Sequence, residues 1–132
     1  MVAQLASRLQ EFFDDRVGGD LRSIITYQEE THEVMYLRGD VREQYSEEEL
    51  LAAIDETRFD SLTRPLYEST FADDHGDLTC LVQAYENAVE MNFVLDEGAG
   101  VAVGLDSSAL EETQGIVADA RKILLRQRAA AR

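Results

Sequence analysis

The chain has 132 residues, the length of one domain, and 45% of them are hydrophobic, enough to build a single core and too many for a disordered chain. Its 27 acidic residues stand against 12 basic ones, a net charge of −15, and Lys122 is the single lysine. So acidic a chain lacks the cationic stripe that nucleic-acid binding needs to displace counterions, and no apolar run approaches the ~20 residues of a membrane span.

The acids are spread through every segment: Asp14-Asp15, Glu29-Glu30, Glu47-Glu48-Glu49, Asp73-Asp74 and Glu111-Glu112. Distributed acidity with lysine nearly absent suits a cytoplasm holding molar salt, where the Debye length falls to about 3 Å and self-repulsion is screened. A halophilic, cytoplasmic protein is therefore expected. The N-terminus has no basic stretch and runs straight into a helical pattern, so no signal peptide is expected. The lone Cys80 sits in an apolar run, which predicts a buried, inert thiol and no disulfide.

In chain order, Val2, Leu5, Leu9, Phe12, Phe13 and Val17 recur at helical spacing until Gly18-Gly19 stops the run. Leu21 to Tyr27 and Val34 to Leu37 predict a hairpin around the polar turn Gln28-Glu29-Glu30-Thr31. Ser46 followed by Glu49 is a capping-box pattern, and Leu50, Leu51, Ile54 and Phe59 supply the apolar face of the helix it opens. Pro65 suits the start of a second helical turn carrying Leu66, Tyr67 and Phe71.

The period then changes. Leu78 to Tyr85 and Ala88 to Leu95 read as strands joined by a Glu86-Asn87 turn, with asparagine placed to accept a positive φ. Val89, Met91, Phe93 and Leu95 alternate with Glu90 and Asn92, one buried face and one wetter face. Gly98-Ala99-Gly100 turns the chain into a strand from Val101 to Leu105. A second capping box, Ser108 to Glu111, opens a last helix with the stripe Leu110, Ile116, Val117, Ala120, Ile123 and Leu124. Arg121, Lys122, Arg126 and Arg128 complement its C-terminal dipole. With no repeat, low-complexity segment or linker, residues 1–132 form one domain. The order α-ββ-α-βββ-α predicts an α+β fold of two layers, a five-stranded and mostly antiparallel sheet with helices on one side.

That order resembles the roadblock/LC7 (profilin-like) architecture, whose members commonly dimerise and act as scaffolds or regulators of small GTPases; no motif of theirs is matched here. A second resemblance is local. The runs "YLRGDVREQYSEEELLAAID", "FDSLTRPLYES" and "LTCLVQAYENAVEMNF" are similar to a family of small uncharacterised haloarchaeal proteins. In these a strand ending in Arg-x-Asp-Val leads into a Tyr-Ser-x-Glu-Glu helix start. The matching residues are Arg38, Asp40, Val41, Tyr45, Ser46, Glu48 and Glu49. This resemblance implies a halophilic source and no particular activity.

Asp73, Asp74, His75 and Asp77 offer oxygen and imidazole ligands to a divalent cation. Their spacing fits neither an EF-hand nor a His-Glu-x-x-His zinc site, and an acidic loop between helix and strand explains them without a metal. The other histidine, His32, is placed in the first hairpin turn. Arg38-Gly39-Asp40 reads as a strand exit with Asp40 paired to Arg38 or Arg42. Gly98-Ala99-Gly100 lacks the following helix and lysine of a phosphate loop. Ser107 and Ser108 read as caps without a histidine nearby, and Tyr36 and Tyr85 are placed to bring hydroxyls to a sheet edge. No catalytic set and no cofactor are expected. The expectation is a non-enzymatic, homodimeric interaction or regulatory module, its contacts made by Leu50, Leu51, Ile54 and an edge strand, with any protein partner unidentified. The alternative is a small-molecule or metal-binding domain using residues 73–77.

Overall fold

In a computed structural model, residues 1–130 are described, the side chains of Ala72 and of residues 110–114 excepted. The elements follow the expected order: α1 (Val2–Val17), β1 (Leu21–Gln28), β2 (Thr31–Leu37), α2 (Gly39–Gln44), α3 (Glu47–Leu62), α4 (Arg64–His75), β3 (Cys80–Ala84), β4 (Ala88–Asp96), β5 (Ala99–Asp106) and α5 (Thr113–Ala130). The five strands form one sheet in the order β2-β1-β5-β4-β3, and every pairing is antiparallel. The α+β class and the five-stranded sheet are thus as the element pattern predicted.

The main core lies where α1 and α5 cover one face of the sheet. Leu5, Leu9 and Phe13 of α1 and Ile116, Ala120 and Leu124 of α5 are fully buried. They pack on Leu21 and Ile24 of β1, Val89, Met91 and Phe93 of β4, and Val101, Val103 and Leu105 of β5. This is the period-2 and period-3.6 patterning of the sequence realised in one cluster. Gly18 ends α1 at φ 54°, a left-handed conformation that costs a glycine nothing.

α3 does not join that layer. Alternation along the strands sends Ile25, Tyr27 and Ala102 to the opposite face, and there Ile54 and Leu50 of α3 close a second, smaller cluster. The helix rests on this face largely through hydrogen bonds. Asn92 Nδ2 donates to the Thr57 carbonyl at 3.1 Å, Arg58 Nη2 to the Thr31 carbonyl at 3.0 Å, and the Gly98 amide to Ser61 Oγ at 3.0 Å. Residues 54, 57, 58 and 61 share one side of a 3.6-residue helix, so α3 presents a mostly polar stripe to the sheet. Phe59, expected on one apolar face with Leu50, Leu51 and Ile54, is 64% exposed while Ile54 is buried.

Smaller expectations resolve as follows. The Ser46–Glu49 capping box is complete, with both reciprocal hydrogen bonds at 3.1 Å. Pro65 sits in the first turn of α4, which is longer than the single turn foreseen and is kinked at Phe71, whose backbone (φ −124°, ψ 20°) is not helical. His32 lies within β2 opposite Tyr27 rather than in the turn. Positive φ among non-glycine residues falls on Glu29 and not on Asn87. The Ser108–Glu111 box involves a side chain outside those described; Ser107–Glu112 forms a 3-10 segment, and the Ser108 hydroxyl donates to Asp20 at 2.9 Å.

Arg38 explains the Arg-x-Asp-Val run. Its guanidinium donates to Asp106 at the end of β5 (2.7 and 2.9 Å), to Asp40 (2.6 and 3.0 Å) and to the Gly19 carbonyl (2.7 Å). Three chain segments distant in sequence are tied at one corner of the sheet. The hydrogen bonds from Arg38, backed by its charge and by Arg22, hold the Asp106 carboxyl below the usual carboxylate range. A group with a lowered folded pKa adds stability above its unfolded value and loses it as pH falls through the folded value. Arg38→Met is therefore expected to cost about 2 kcal/mol at pH 7. The gap between variant and wild type should narrow below about pH 4, as Asp106 protonates in the unfolded and then in the folded chain. Thermal melts across pH 3–7 measure it.

Candidate functional site

A concavity lies on the α3 face of the sheet, in the part that α3 leaves open. Small residues line it from the sheet: Ser23 of β1, Ala102 of β5 and Ala88 of β4. Larger side chains at these alternate positions would fill the space. One wall is α3, with Leu50, Ala53 and Ile54; the end is closed by Val41 and Gln44 of α2 and Tyr45 beyond it; the β3–β4 turn brings Tyr85 and Glu86 to the far rim. The resulting groove has a volume of about 860 Å³, within the range of ligand sites.

One ionisable side chain stands on the floor. Glu90 projects from β4 beside Gly104, where a Cβ would come within 3.3 Å of its carboxylate. The groove keeps it accessible, yet the surrounding protein strips enough water to push its carboxyl up to about 7, with the Arg22 charge pulling the other way. Arg22 is itself engaged, donating to Asp106 at 3.4 Å and to Gln44 at 3.3 Å. Next to the groove, Tyr27 is fully buried; its hydroxyl donates to Asn92 Oδ1 while Asn92 donates on to α3. Burial raises the Tyr27 pKa, so the phenol stays neutral.

The residues singled out from sequence are dispersed. Asp73, Asp74 and His75 form the last turn of α4, not a loop, and Gly76 ends the helix at φ 72°. The His75 ring stacks on Phe71 at 4.4 Å, and Asp77 lies 3.9 Å from Arg64. Among the described residues, no group of three or more His, Cys, Asp or Glu side chains is placed to hold a metal ion. Ile54, expected at an intermolecular contact, is buried against the sheet, and Leu50 packs on the same cluster; Leu51 alone of the three is exposed, at 46%. Cys80 packs against the main core, and burial pushes its thiol up to about 12, as an inert cysteine requires.

A different surface carries exposed apolar side chains. Phe59 and Leu62 at the end of α3, and Leu66, Tyr67 and Phe71 of α4, are 44–67% exposed, and none of the described residues of α4 is buried. Helical spacing put Phe59 on one apolar face with Leu50, Leu51 and Ile54; it does not say which face of α3 meets the sheet. Among the described residues, no helix is long and apolar enough to cross a membrane. A comparison with curated proteins gives no match. The motif of Arg38, Asp40, Ser46 and Glu49 turns out to be structural, and the match to a family covers nearly the whole fold, from α1 to α5. The chain belongs to the family described as domain of unknown function DUF7522, whose model matches residues 7–125.

Proposed function

We propose that the protein is a non-enzymatic interaction module that pairs with a second copy of itself through the apolar surface of α3 and α4. The observation that carries this reading is α4: Leu66, Tyr67 and Phe71 stand in solvent on a helix with no buried residue among those described. Burying what remains exposed of Phe59, Leu62, Leu66, Tyr67 and Phe71 in each copy is the favourable term that would have to offset the lost freedom of two chains. The cations of these helices already have partners, Arg58 with Asp55 at 2.7 Å and Arg64 with Glu68 at 3.0 Å. The exposed apolar side chains, set among the acids of the same helices, offer the contact that a self-complementary two-fold interface would use. Two copies each carrying −15 repel one another unless salt screens them, which joins this reading to that of a halophilic protein.

The side chains that sequence alone made the first candidates for catalysis are engaged otherwise: His75 stacks on Phe71, Ser108 bonds Asp20, and the Cys80 thiol is protonated at neutral pH. Light scattering after gel filtration tests the proposal. In molar KCl the expected mass is twice the 14.8 kDa of one chain. The double variant Leu66→Asp, Phe71→Asp should be monomeric with an unchanged circular dichroism spectrum. A wild-type monomer at every salt concentration refutes the module, and a variant that still dimerises refutes the surface.

A further inference from the structure

We propose that the groove between α3 and the sheet is a binding site for a small organic ammonium ion carrying a hydrocarbon portion. Three observations converge on that chemistry. The groove has room for one such molecule, with a volume of about 860 Å³. Its acidic lining residues are Glu49, Glu56, Glu86 and Glu90, against the single cation Arg22, whose guanidinium is held by Asp106 and Gln44. A concave, low-dielectric wall carrying one sign of charge concentrates the opposite ion.

Glu90 is the natural anchor. It stands on the floor above Gly104, where no Cβ intervenes, and Ser23 Oγ lies close by as a further acceptor. Ile25, Leu50 and Ala102 supply the apolar surface against which a hydrocarbon chain loses its water. At the rim, Tyr45 and Tyr85 are 44% and 57% exposed, and both line the groove. Aromatic faces beside carboxylates recognise ammonium groups through the ring quadrupole together with charge. An anionic ligand meets the opposite of what it needs, and a neutral one leaves Glu90 without a partner when ionised. None of Phe59, Leu62, Leu66, Tyr67 and Phe71 lines the groove, so the site stands whether or not the chain dimerises.

Calorimetric titration of the full chain with n-hexylammonium chloride at pH 8, where the carboxyl is mostly ionised, and at one fixed KCl concentration, tests this. Hexanol and hexanoate serve as neutral and anionic probes of equal length. The expected result is saturable binding of hexylammonium, at least tenfold weaker binding of hexanol, and none of hexanoate. Glu90→Gln should weaken hexylammonium at least tenfold while leaving the circular dichroism spectrum unchanged. Tyr85→Ala, at an exposed turn, should weaken it severalfold. No saturable binding of hexylammonium overturns the proposal. So does affinity that is unchanged in both variants, which would mean diffuse attraction to an acidic surface, or hexanol binding as tightly, which would mean an apolar groove without charge selection.

Discussion

Gly100→Ala is expected to destabilise the fold by about 3 kcal/mol, a drop of about 10 °C in Tm, measured by urea and thermal denaturation. Gly100 pairs with Tyr27 across the β1–β5 ladder. A Cβ built on it would collide with the Phe93 carbonyl oxygen, lie 2.5 Å from the Tyr27 hydroxyl oxygen and 2.9 Å from its ring. Neither neighbour yields cheaply. Phe93 O belongs to the strand backbone, and Tyr27 is pinned by its bond to Asn92 and by Ile54 above it. The tyrosine in effect occupies the side-chain space that glycine leaves vacant. Gly39→Ala is the control: a Cβ there meets nothing within 4 Å, so the change should stay within about 0.5 kcal/mol. Equal stability of the two variants would show that Tyr27 has freedom to move aside.

Arg128→Met should cost a similar amount, about 3 kcal/mol. Sequence alone makes Arg128 one of several cations complementing the end of α5. In the fold it is 7% exposed, and its Nη2 donates to the Leu78 carbonyl at 2.7 Å and to the Val94 carbonyl at 2.5 Å. One guanidinium thus joins the last turns of α5 to β4 and to the segment entering β3. Methionine keeps much of the volume but leaves both carbonyls without that donor in a dehydrated place. Arg128→Lys should recover only part of the loss, because an ammonium on a different stem does not reproduce the planar geometry. Arg126, exposed in the same helix, is the comparison, and Arg126→Ala should change stability by no more than about 0.5 kcal/mol. If both arginine variants melt together, the role given to Arg128 fails.

The groove shows why the candidate site was harder to read than the fold. Glu90 was legible as a residue on the wetter face of β4, between buried Val89 and Met91; Asn92, expected on that face with it, is buried under α3. Nothing local marks that face as the floor of a cavity. The cavity arises because Ser23, Ala88 and Ala102, from three different strands, are all small and meet on one side of the sheet. Conversely, the cluster at Asp73, Asp74, His75 and Asp77 was conspicuous in one dimension and does not converge in three, because consecutive residues at a helix end point in different directions. Leu50, Leu51 and Ile54 divide for another reason: the side of α3 that meets the sheet is centred on residues 54, 57, 58 and 61, which leaves Leu51 at its edge and exposed.

The sequence by itself determined α1, the five strands, the Ser46 cap and the stripe of α5, since each rests on a local period or a reciprocal hydrogen bond within four residues. Only the tertiary structure decided where α3 sits, which of its apolar residues stay outside, and that Arg38 and Arg128 are ties rather than surface charges. Those outcomes depend on partners such as Asn92, Gly98, Asp106 and Val94, which enter the neighbourhood only when the sheet closes. A hydrogen bond of this kind gains its strength from burial that no window of sequence contains.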